Sequence, residues 1–196
     1  MKRILLMVIK NIVLVPWMWI KLCYHAKHTE KYTEEEQYKM LRFITLHANK
    51  GGNVKIDVHG VENLPKDNGF MFFPNHQGLY DVLAIIEACP RPFSVVAKKE
   101  IANIQFLKQV FACMKAYMLD REDIRQAMQV IVHVTEEVKR GRNYLIFAEG
   151  TRSKNGNKVG EFKGGSFKSA TKSKCPIVPV ALIHSFKPFD TNTISP

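Results

Sequence analysis

Hydrophobic residues change their spacing early in the chain. From Val54 onward, short apolar runs alternate with segments in which apolar residues recur at helical spacing. The apolar runs predict six strands, at 54–60, 70–76, 93–99, 116–121, 144–150 and 177–185. The segments between them predict helices, at 81–88, 105–112, 124–140 and 164–173. This alternation predicts an α/β domain with a largely parallel central sheet flanked by helices.

Before Val54 the pattern predicts helices. At about 100° per residue, Arg3, Lys10 and Lys21 fall within about 20° of one another on an otherwise apolar helix. Only ten uncharged residues separate Lys10 from Lys21, whereas a helix that spans a bilayer needs roughly 20. One basic stripe together with Trp17 and Trp19 is typical of a helix that lies in the membrane interface. The alternative is a buried helix of the domain itself.

A second helix is predicted from Thr33, a capping residue followed by three glutamates, toward Gly51. We therefore predict two parts: a membrane-associating pair of helices in residues 1–50, and the α/β domain in residues 51–196. The expected location is the cytoplasmic face of a membrane.

Composition and charge narrow the class of partner. The chain has 196 residues, of which 46% are apolar and 24% charged, as in ordinary globular proteins, but its net charge is +11. Residues 139–174 hold ten basic and two acidic side chains, and residues 1–50 hold nine and four. This distribution favours an anionic lipid surface and a phosphorylated substrate. The four cysteines form no C-x-x-C pair and are expected to be reduced.

Two of the predicted strands end in polar loops. Asn75 and His76 lie where the buried part of the strand predicted at 70–76 gives way to its exit loop, and Asp81 lies five residues after the histidine. A histidine oriented by a carboxylate is the pair that a general base requires, although an Asp before an apolar helix is more often only a cap. The strand at 144–150 ends in Glu149-Gly150-Thr151-Arg152-Ser153, a set of side chains suited to phosphate.

These motifs carry a resemblance to a known family. N-H-Q-G-L-Y-D at 75–81 and F-A-E-G-T-R-S at 147–153 resemble the first and third blocks of the glycerophospholipid acyltransferases, in particular the 1-acyl-glycerol-3-phosphate (lysophosphatidic acid) acyltransferase family. K-A-Y-M-L-D-R at 115–121 and I-V-P-V-A-L at 177–182 resemble the second and fourth blocks. Lys115 and Gly78 stand where the family commonly has glycine and serine, and Ala148 where it often has proline.

The resemblance implies acyl transfer from a thioester, either acyl-CoA or acyl carrier protein, to the 2-hydroxyl of a lysophosphatidate, giving phosphatidic acid in phospholipid biosynthesis. His76 would be the base and Asp81 would orient it. The implied acceptor-binding residues are Asn75, Arg121, Glu149, Gly150, Thr151 and Arg152. The implied partners are the membrane lipid, an anionic surface and acyl carrier protein when it is the donor. No cofactor beyond the donor, no metal and no acyl-enzyme are implied, and the sequence has no G-x-S-x-G motif.

Other interpretations of the residues are weaker. A metal hydrolase would need clustered ligands, but His47, His59, His133 and His184 are scattered. Nucleic-acid binding is not expected, because the basic clusters lack interleaved aromatic residues. An acyltransferase for another glycerol phosphate or lysophospholipid acceptor, and a non-catalytic membrane-associated scaffold, both stay open.

Overall fold

The central feature of the fold is a five-stranded parallel sheet. The computed structural model describes residues 2–120 and 122–190. The strands are β1 (Met71–Pro74), β2 (Ser94–Lys98), β3 (Tyr117–Leu119), β4 (Tyr144–Leu145) and β5 (Ile177–Val180). Their order across the sheet is β3-β2-β4-β1-β5, and every pair is parallel. The predicted α/β class is confirmed, with five of the six predicted strands present.

Eight α-helices surround this sheet in the described residues. They are α1 (Lys2–Lys10), α2 (Val15–Lys27), α3 (Glu34–Gly51), α4 (Asp81–Ala88), α5 (Gln105–Cys113), α6 (Ile124–Lys139), α7 (Lys168–Ser173) and α8 (Lys187–Asp190). Thr33 caps α3 as predicted: its hydroxyl accepts the Glu36 backbone N–H (3.2 Å), and the Glu36 carboxylate accepts the Thr33 backbone N–H (2.8 Å). This reciprocal pairing satisfies two N–H groups that the first turn would leave unbonded.

The sheet has a hydrophobic core on each face. Successive side chains of a strand point to opposite faces, so Phe72 joins the cluster that contains α2, α3, α4 and α5. Met71 and Phe73 join the second cluster, which contains α6 and α7. Each fully buried side chain of this size contributes about 1.5–3 kcal/mol. The two cores bury β1 between them, and β1 leads directly into the histidine loop.

The strand predicted at 54–60 is wrong. Val54 and Ile56 do face the first core cluster, and Lys55 and Asp57 are exposed, so the alternation correctly reported one buried side. A strand also needs a hydrogen-bonded neighbour, and no segment within the described ranges pairs with these residues. The Val54 backbone N–H instead bonds the Asn49 carbonyl near the end of α3 (2.9 Å).

The single basic stripe predicted on the N-terminal helix is also wrong. A turn between Lys10 and Val15 separates α1 from α2, and their axes are bent by 100°. Arg3 is only 3% exposed. Its guanidinium donates to the carbonyls of Gly52 (3.0 Å) and Asn53 (2.9 Å). Arg3 therefore fixes α1 to the end of α3 and does not line up with Lys10 and Lys21.

The break follows from the local sequence. Pro16 lies in the first turn of α2, where its missing N–H would have no helical partner in any case. The side chain of Asn11 donates to the carbonyls of Met7 (2.8 Å) and His47 (3.0 Å), which holds the turn against α3. No single described helix is long and apolar enough to cross a bilayer, whereas α1 and α2 meet that requirement of length and composition jointly.

The helices of residues 2–51 contact the rest of the chain through buried groups. The Tyr38 hydroxyl donates to the Cys89 carbonyl after α4 (2.8 Å). Arg142 forms ion pairs with Glu34 at the start of α3 and with Glu137 of α6 (2.6 Å to the latter). The division of the chain at residue 50 stays a prediction.

Candidate active site

His76 and Asp81 form a hydrogen-bonded pair at the carboxyl end of β1. Pro74 ends the strand, and α4 begins at Asp81, so the loop between them reverses within six residues. His76 Nδ1 lies 2.7 Å from Asp81 Oδ2. Active sites of open parallel sheets lie at this edge, beyond the carboxyl ends of the strands. The spacing of five residues in the sequence therefore does bring the two predicted side chains together.

The carboxylate of Asp81 is fully buried, with 0% exposure. Oδ2 accepts the backbone N–H groups of Gln77 (2.6 Å) and Gly78 (3.0 Å) as well as the histidine. The side-chain hydroxyl of Ser185 donates to Oδ1 (2.7 Å). Backbone N–H donors stabilise an ionised acceptor, and the amino end of α4 adds a favourable dipole. Both oxygens of Asp81 are therefore arranged as hydrogen-bond acceptors, and a hydrogen on His76 Nδ1 would point at Oδ2.

The imidazole plane is held from one side by an aromatic ring. Phe147, which follows β4, stacks on His76 with ring centroids 3.9 Å apart and an interplanar angle of 18°. The side chain of His76 is 14% exposed, and its Nε2 makes no hydrogen bond to any described residue. One ring nitrogen is thus fixed by Asp81, and the other is left to an incoming molecule.

Glu149 lies beneath this loop and is 3% exposed. Its Oε1 accepts the backbone N–H of His76 (2.8 Å), and its Oε2 accepts that of Gly160 (2.7 Å). No ion pair joins Glu149 to Arg152 in the described structure. A side chain at position 160 would place its Cβ 2.6 Å from Glu149 Oε2, so the close approach depends on glycine. The carboxylate ties together the loops after β1 and β4.

The other predicted binding residues differ in their exposure and contacts. Asn75 is buried, and its amide bonds both backbone groups of Leu182 beyond β5 (3.0 and 2.7 Å). Gly150 takes a left-handed conformation (φ 69°) that turns the chain after β4. Thr151 and Arg152 are exposed. Arg121 lies outside the described residues.

The segment after β4 runs beside the histidine and presents positive charge. The backbone N–H of Ser153 donates to the His76 carbonyl (2.8 Å), which places Thr151 and Arg152 next to the candidate base. Exposed lysines continue the basic character of this segment, at positions 154, 158, 163 and 168. The arrangement is suited to an anion at the edge of the site.

Three residues of the site were not predicted. Gln77 Nε2 donates to Asn157 Oδ1 (2.9 Å), and Gln77 Oε1 accepts the backbone N–H of Ser185 (2.9 Å). The signal for Ser185 was present, because it follows β5, which lies beside β1 in the sheet. Nothing in the sequence indicated Asn157, whose contact depends on the folding of a glycine-rich loop.

The second block contributes an acidic residue, Asp120, that is bonded to a lysine. Asp120 follows β3, and Lys99 donates to its carboxylate (2.5 Å). This hydrogen bond lowers the pKa of Asp120 below its ordinary value. Lys115, at the position where glycine is common in the family, has a left-handed backbone (φ 49°). Among the described residues, no group of three His, Cys, Asp or Glu side chains is arranged to hold a metal.

Comparison with known proteins agrees with this geometry. The family model described as "Acyltransferase" matches residues 55–183. The chain belongs to the acyltransferase family. A protein named 1-acyl-sn-glycerol-3-phosphate acyltransferase from Borreliella burgdorferi is 35% identical over 141 residues, which are 72% of this chain and 56% of the relative. The enzyme of the same name from Helicobacter pylori is 32% identical over 120 residues, 61% of this chain and 51% of the relative.

The chain also resembles a solved acyltransferase structure. The crystal structure of the 1-acyl-sn-glycerophosphate (LPA) acyltransferase PlsC from Thermotoga maritima superposes with a TM-score of 0.69 and 25% identity, covering 90% of this chain and 73% of that one. The family resemblance read from the four sequence blocks is confirmed. The chain spans about half the length of the curated acyltransferases named above.

Proposed function

We propose that this acyltransferase chain transfers an acyl group from a thioester to the 2-hydroxyl of 1-acyl-glycerol-3-phosphate, forming phosphatidic acid. The observation that carries the proposal is the 2.7 Å contact between His76 Nδ1 and the buried Asp81 carboxylate at the carboxyl end of β1. The names of the curated relatives support the choice of acceptor. The surrounding basic loop supports an acceptor that carries a phosphate.

His76 acts as the general base in this proposal. In the tautomer that this role requires, Nδ1 carries the hydrogen and donates it to Asp81, 2.7 Å away. Nε2 is then the nitrogen that accepts the proton of the acceptor's hydroxyl. The hydroxyl oxygen attacks the thioester carbonyl carbon as that proton leaves. The buried charge of Asp81 stabilises the imidazolium that forms, as in other histidine–carboxylate pairs.

The second half of the reaction returns the proton. The tetrahedral intermediate collapses, the carbon–sulfur bond breaks, and the departing thiolate takes the proton from His76 Nε2. The base is then neutral again and no acyl-enzyme has formed. This direct transfer needs only that the two substrates meet in the correct orientation, because the thioester is already activated.

The phosphate of the acceptor binds to the exposed segment after β4. Arg152 and Thr151 lie beside His76, and Arg152 forms no ion pair with a described residue, so its guanidinium is open to a ligand. Arg121 of the second block would be a further phosphate-binding side chain. Glu149 and Asn75 support the site from below, since their polar atoms are bonded to the backbone.

The N-terminal helices bind the membrane surface in this proposal. Apolar side chains are exposed on α1, α2 and the turn between them, and Ile12, Val13 and Ile20 are 65%, 85% and 68% exposed. Apolar patches of this kind mark membrane or protein interaction sites. Trp17 and Trp19 are suited to the headgroup region, and Lys10 to anionic lipid. The cytoplasmic face is the proposed location, where thioester donors are made.

Activity is tested by incubating the purified chain with acyl-CoA or acyl carrier protein loaded with the same acyl group. The acceptor panel contains lysophosphatidate, glycerol-3-phosphate and other lysophospholipids. Formation of phosphatidic acid in preference to other products is the expected result. Preference for another acceptor would replace the proposed substrate, and binding to vesicles without turnover of any pair would indicate a scaffold.

Membrane binding is tested by changing the exposed surface and leaving the fold intact. The double variant Val13→Asp/Ile20→Asp should lose sedimentation with vesicles of phosphatidylglycerol and phosphatidylcholine, yet keep activity on a short-chain, water-soluble acceptor. Val132→Asp is the matched control, because Val132 is 51% exposed on α6, on the other face of the sheet. Unchanged sedimentation of the double variant would refute the proposed surface.

A further inference from the structure

We infer that Ser185 is a positioning residue, which holds the Asp81 carboxylate in the orientation that His76 requires. The inference rests on the proposed role of His76 and Asp81 in acyl transfer. Ser185 lies outside the four sequence blocks and comes from the segment after β5. It reaches the catalytic pair only because β5 lies beside β1 in the sheet.

The two carboxylate oxygens of Asp81 have different partners. Oδ2 receives three donors, all from the loop of residues 76–78. Oδ1 receives one donor among the described residues, the hydroxyl of Ser185, at 2.7 Å. The same hydroxyl lies 3.0 Å from Gln77 Oε1, and its single hydrogen goes to the nearer, charged acceptor. Asp81 is 0% exposed and Ser185 is 7% exposed, so bulk water does not replace that donor. A buried carboxylate oxygen without a donor carries a large desolvation cost.

The hydroxyl also fixes the rotation of the carboxylate. A carboxylate can turn about its Cβ–Cγ bond, and donors on one oxygen alone leave that rotation loosely determined. With Ser185 on Oδ1, the plane is set by donors on both sides, and Oδ2 faces His76 Nδ1. Loss of the hydroxyl therefore disturbs the base through Asp81 and leaves the substrate contacts unchanged.

The backbone around Ser185 is arranged to present this hydroxyl. His184 has a left-handed backbone (φ 61°), which a non-glycine residue seldom adopts. The His184 N–H bonds Asn157 Oδ1 (2.8 Å), and the Ser185 N–H bonds Gln77 Oε1 (2.9 Å). Two side chains from two other segments thus hold an unfavourable turn directly before the serine.

The test compares Ser185→Ala, Ser185→Thr and the double variant Ser185→Ala/Asp81→Asn. Ser185→Ala should lower kcat by about ten- to one-hundredfold, as expected for a lost hydrogen bond to a charged group, with KM for both substrates within about twofold. Ser185→Thr retains a hydroxyl and should recover most of the rate. In the Asp81→Asn background, removal of the hydroxyl should cost little more, because both changes act through one carboxylate. Ser169→Ala is the control, since this buried serine bonds the Ile131 carbonyl on the other side of the sheet.

A measurement without substrate separates this inference from the proposed reaction. The Nδ1 proton of His76 should give a low-field ¹H NMR resonance that is absent in His76→Gln and that moves upfield in Ser185→Ala. Fully multiplicative losses in the double variant, wild-type kcat in Ser185→Ala, or an unmoved resonance would each overturn the role of Ser185. An inactive wild-type chain that shows the expected shift would instead reject the proposed reaction alone. If Ser185→Ala does not fold, Ser185→Cys, which keeps the volume and weakens the donor, serves the same comparison.

Discussion

The loops that follow β1 and β4 lie side by side but expose their polar side chains to very different degrees. In the first loop, Asn75, Gln77 and Asp81 are buried and each is bonded to protein groups. In the second, Thr151 and Arg152 face solvent. Backbone contacts join the two loops, and Glu149 bonds to both.

In the proposed reaction, the difference in exposure separates two tasks of the site. A base must be held in one orientation before the substrate arrives, because disorder at the reacting atoms raises the barrier. A headgroup-binding segment must stay open until a lipid reaches it. The first loop therefore resembles a core, and the second a binding surface. Changes in the first should act on kcat and stability, and changes in the second on the KM of the acceptor.

The largest effect is expected when the His76–Asp81 pair of the first loop, after β1, is removed. His76→Ala should abolish acyl transfer, and Asp81→Asn should lower kcat at least about one-hundredfold, because the histidine loses its orienting charge. Initial rates of phosphatidic acid formation measure both effects. The control is a second histidine–aspartate pair, His59 and Asp57, whose side chains are 85% and 87% exposed and lie 3.1 Å apart.

The control variants, His59→Ala and Asp57→Asn, should retain the full rate. Near-normal turnover by His76→Ala or Asp81→Asn, with folding verified by circular dichroism, would reject the assignment of the base.

The junction between the loops is the next target. In Glu149→Gln, one carboxylate oxygen becomes an amide nitrogen that faces a backbone N–H, so a buried donor loses its acceptor. The free energy of unfolding should fall by about 1–3 kcal/mol, and kcat should fall with it. Urea denaturation and initial rates provide the measurements, and Glu161→Gln, an exposed change in the same segment, is the control.

Gly160→Ala examines the same junction from its other side. The added Cβ would lie 2.6 Å from Glu149 Oε2, so this variant should reproduce the loss seen in Glu149→Gln. Full stability and activity in both variants would mean that the two loops hold their positions independently.

A change in the second loop, after β4, should alter KM rather than kcat. Arg152→Ala should raise the KM of the acceptor about tenfold, because it removes a charge-assisted contact to phosphate. The KM of the thioester and the stability should change little. Arg140→Ala is the control, since Arg140 is exposed at the far end of α6. Equal damage to donor and acceptor binding would assign Arg152 to another task.

The smallest expected effect lies outside both loops and separates stability from activity. Lys115→Gly should raise the free energy of unfolding by about 0.5–1 kcal/mol, because glycine adopts the left-handed backbone at φ 49° without strain. The kcat should not change. Lys108→Gly, on the exposed side of α5, should instead destabilise by about 1 kcal/mol. Destabilisation by Lys115→Gly would show that the lysine side chain makes a compensating contribution.

Much of the architecture could be read from local patterns. The helix α4 begins and ends where its apolar periodicity does. Thr33 correctly predicted the start of α3, because capping is a contact between near neighbours in sequence. His76 and Asp81 were found for the same reason, since only five residues separate them. Local signals of this kind survive folding because the elements themselves are short-range.

The errors arose where distant residues decide the outcome. Val54 and Ile56 alternate like a strand, but pairing depends on a neighbour that no local pattern reveals. Arg3 appeared to be a membrane cation until Gly52 and Asn53, far along the chain, supplied its acceptors. Asn157 and Ser185 were missed because each meets the site through contacts between residues remote in sequence.

The bond between Ser185 and Asp81 joins residues that are 104 positions apart, which has a consequence for biosynthesis. A ribosome adds about 5–20 residues per second, so roughly 5–20 s pass between the synthesis of Asp81 and that of its last donor. During that time β1 also lacks its neighbour β5, and the carboxylate is left incompletely bonded. A nascent chain therefore lacks the proposed base in its finished form, and the proposed acyl transfer should begin only when the last strand docks.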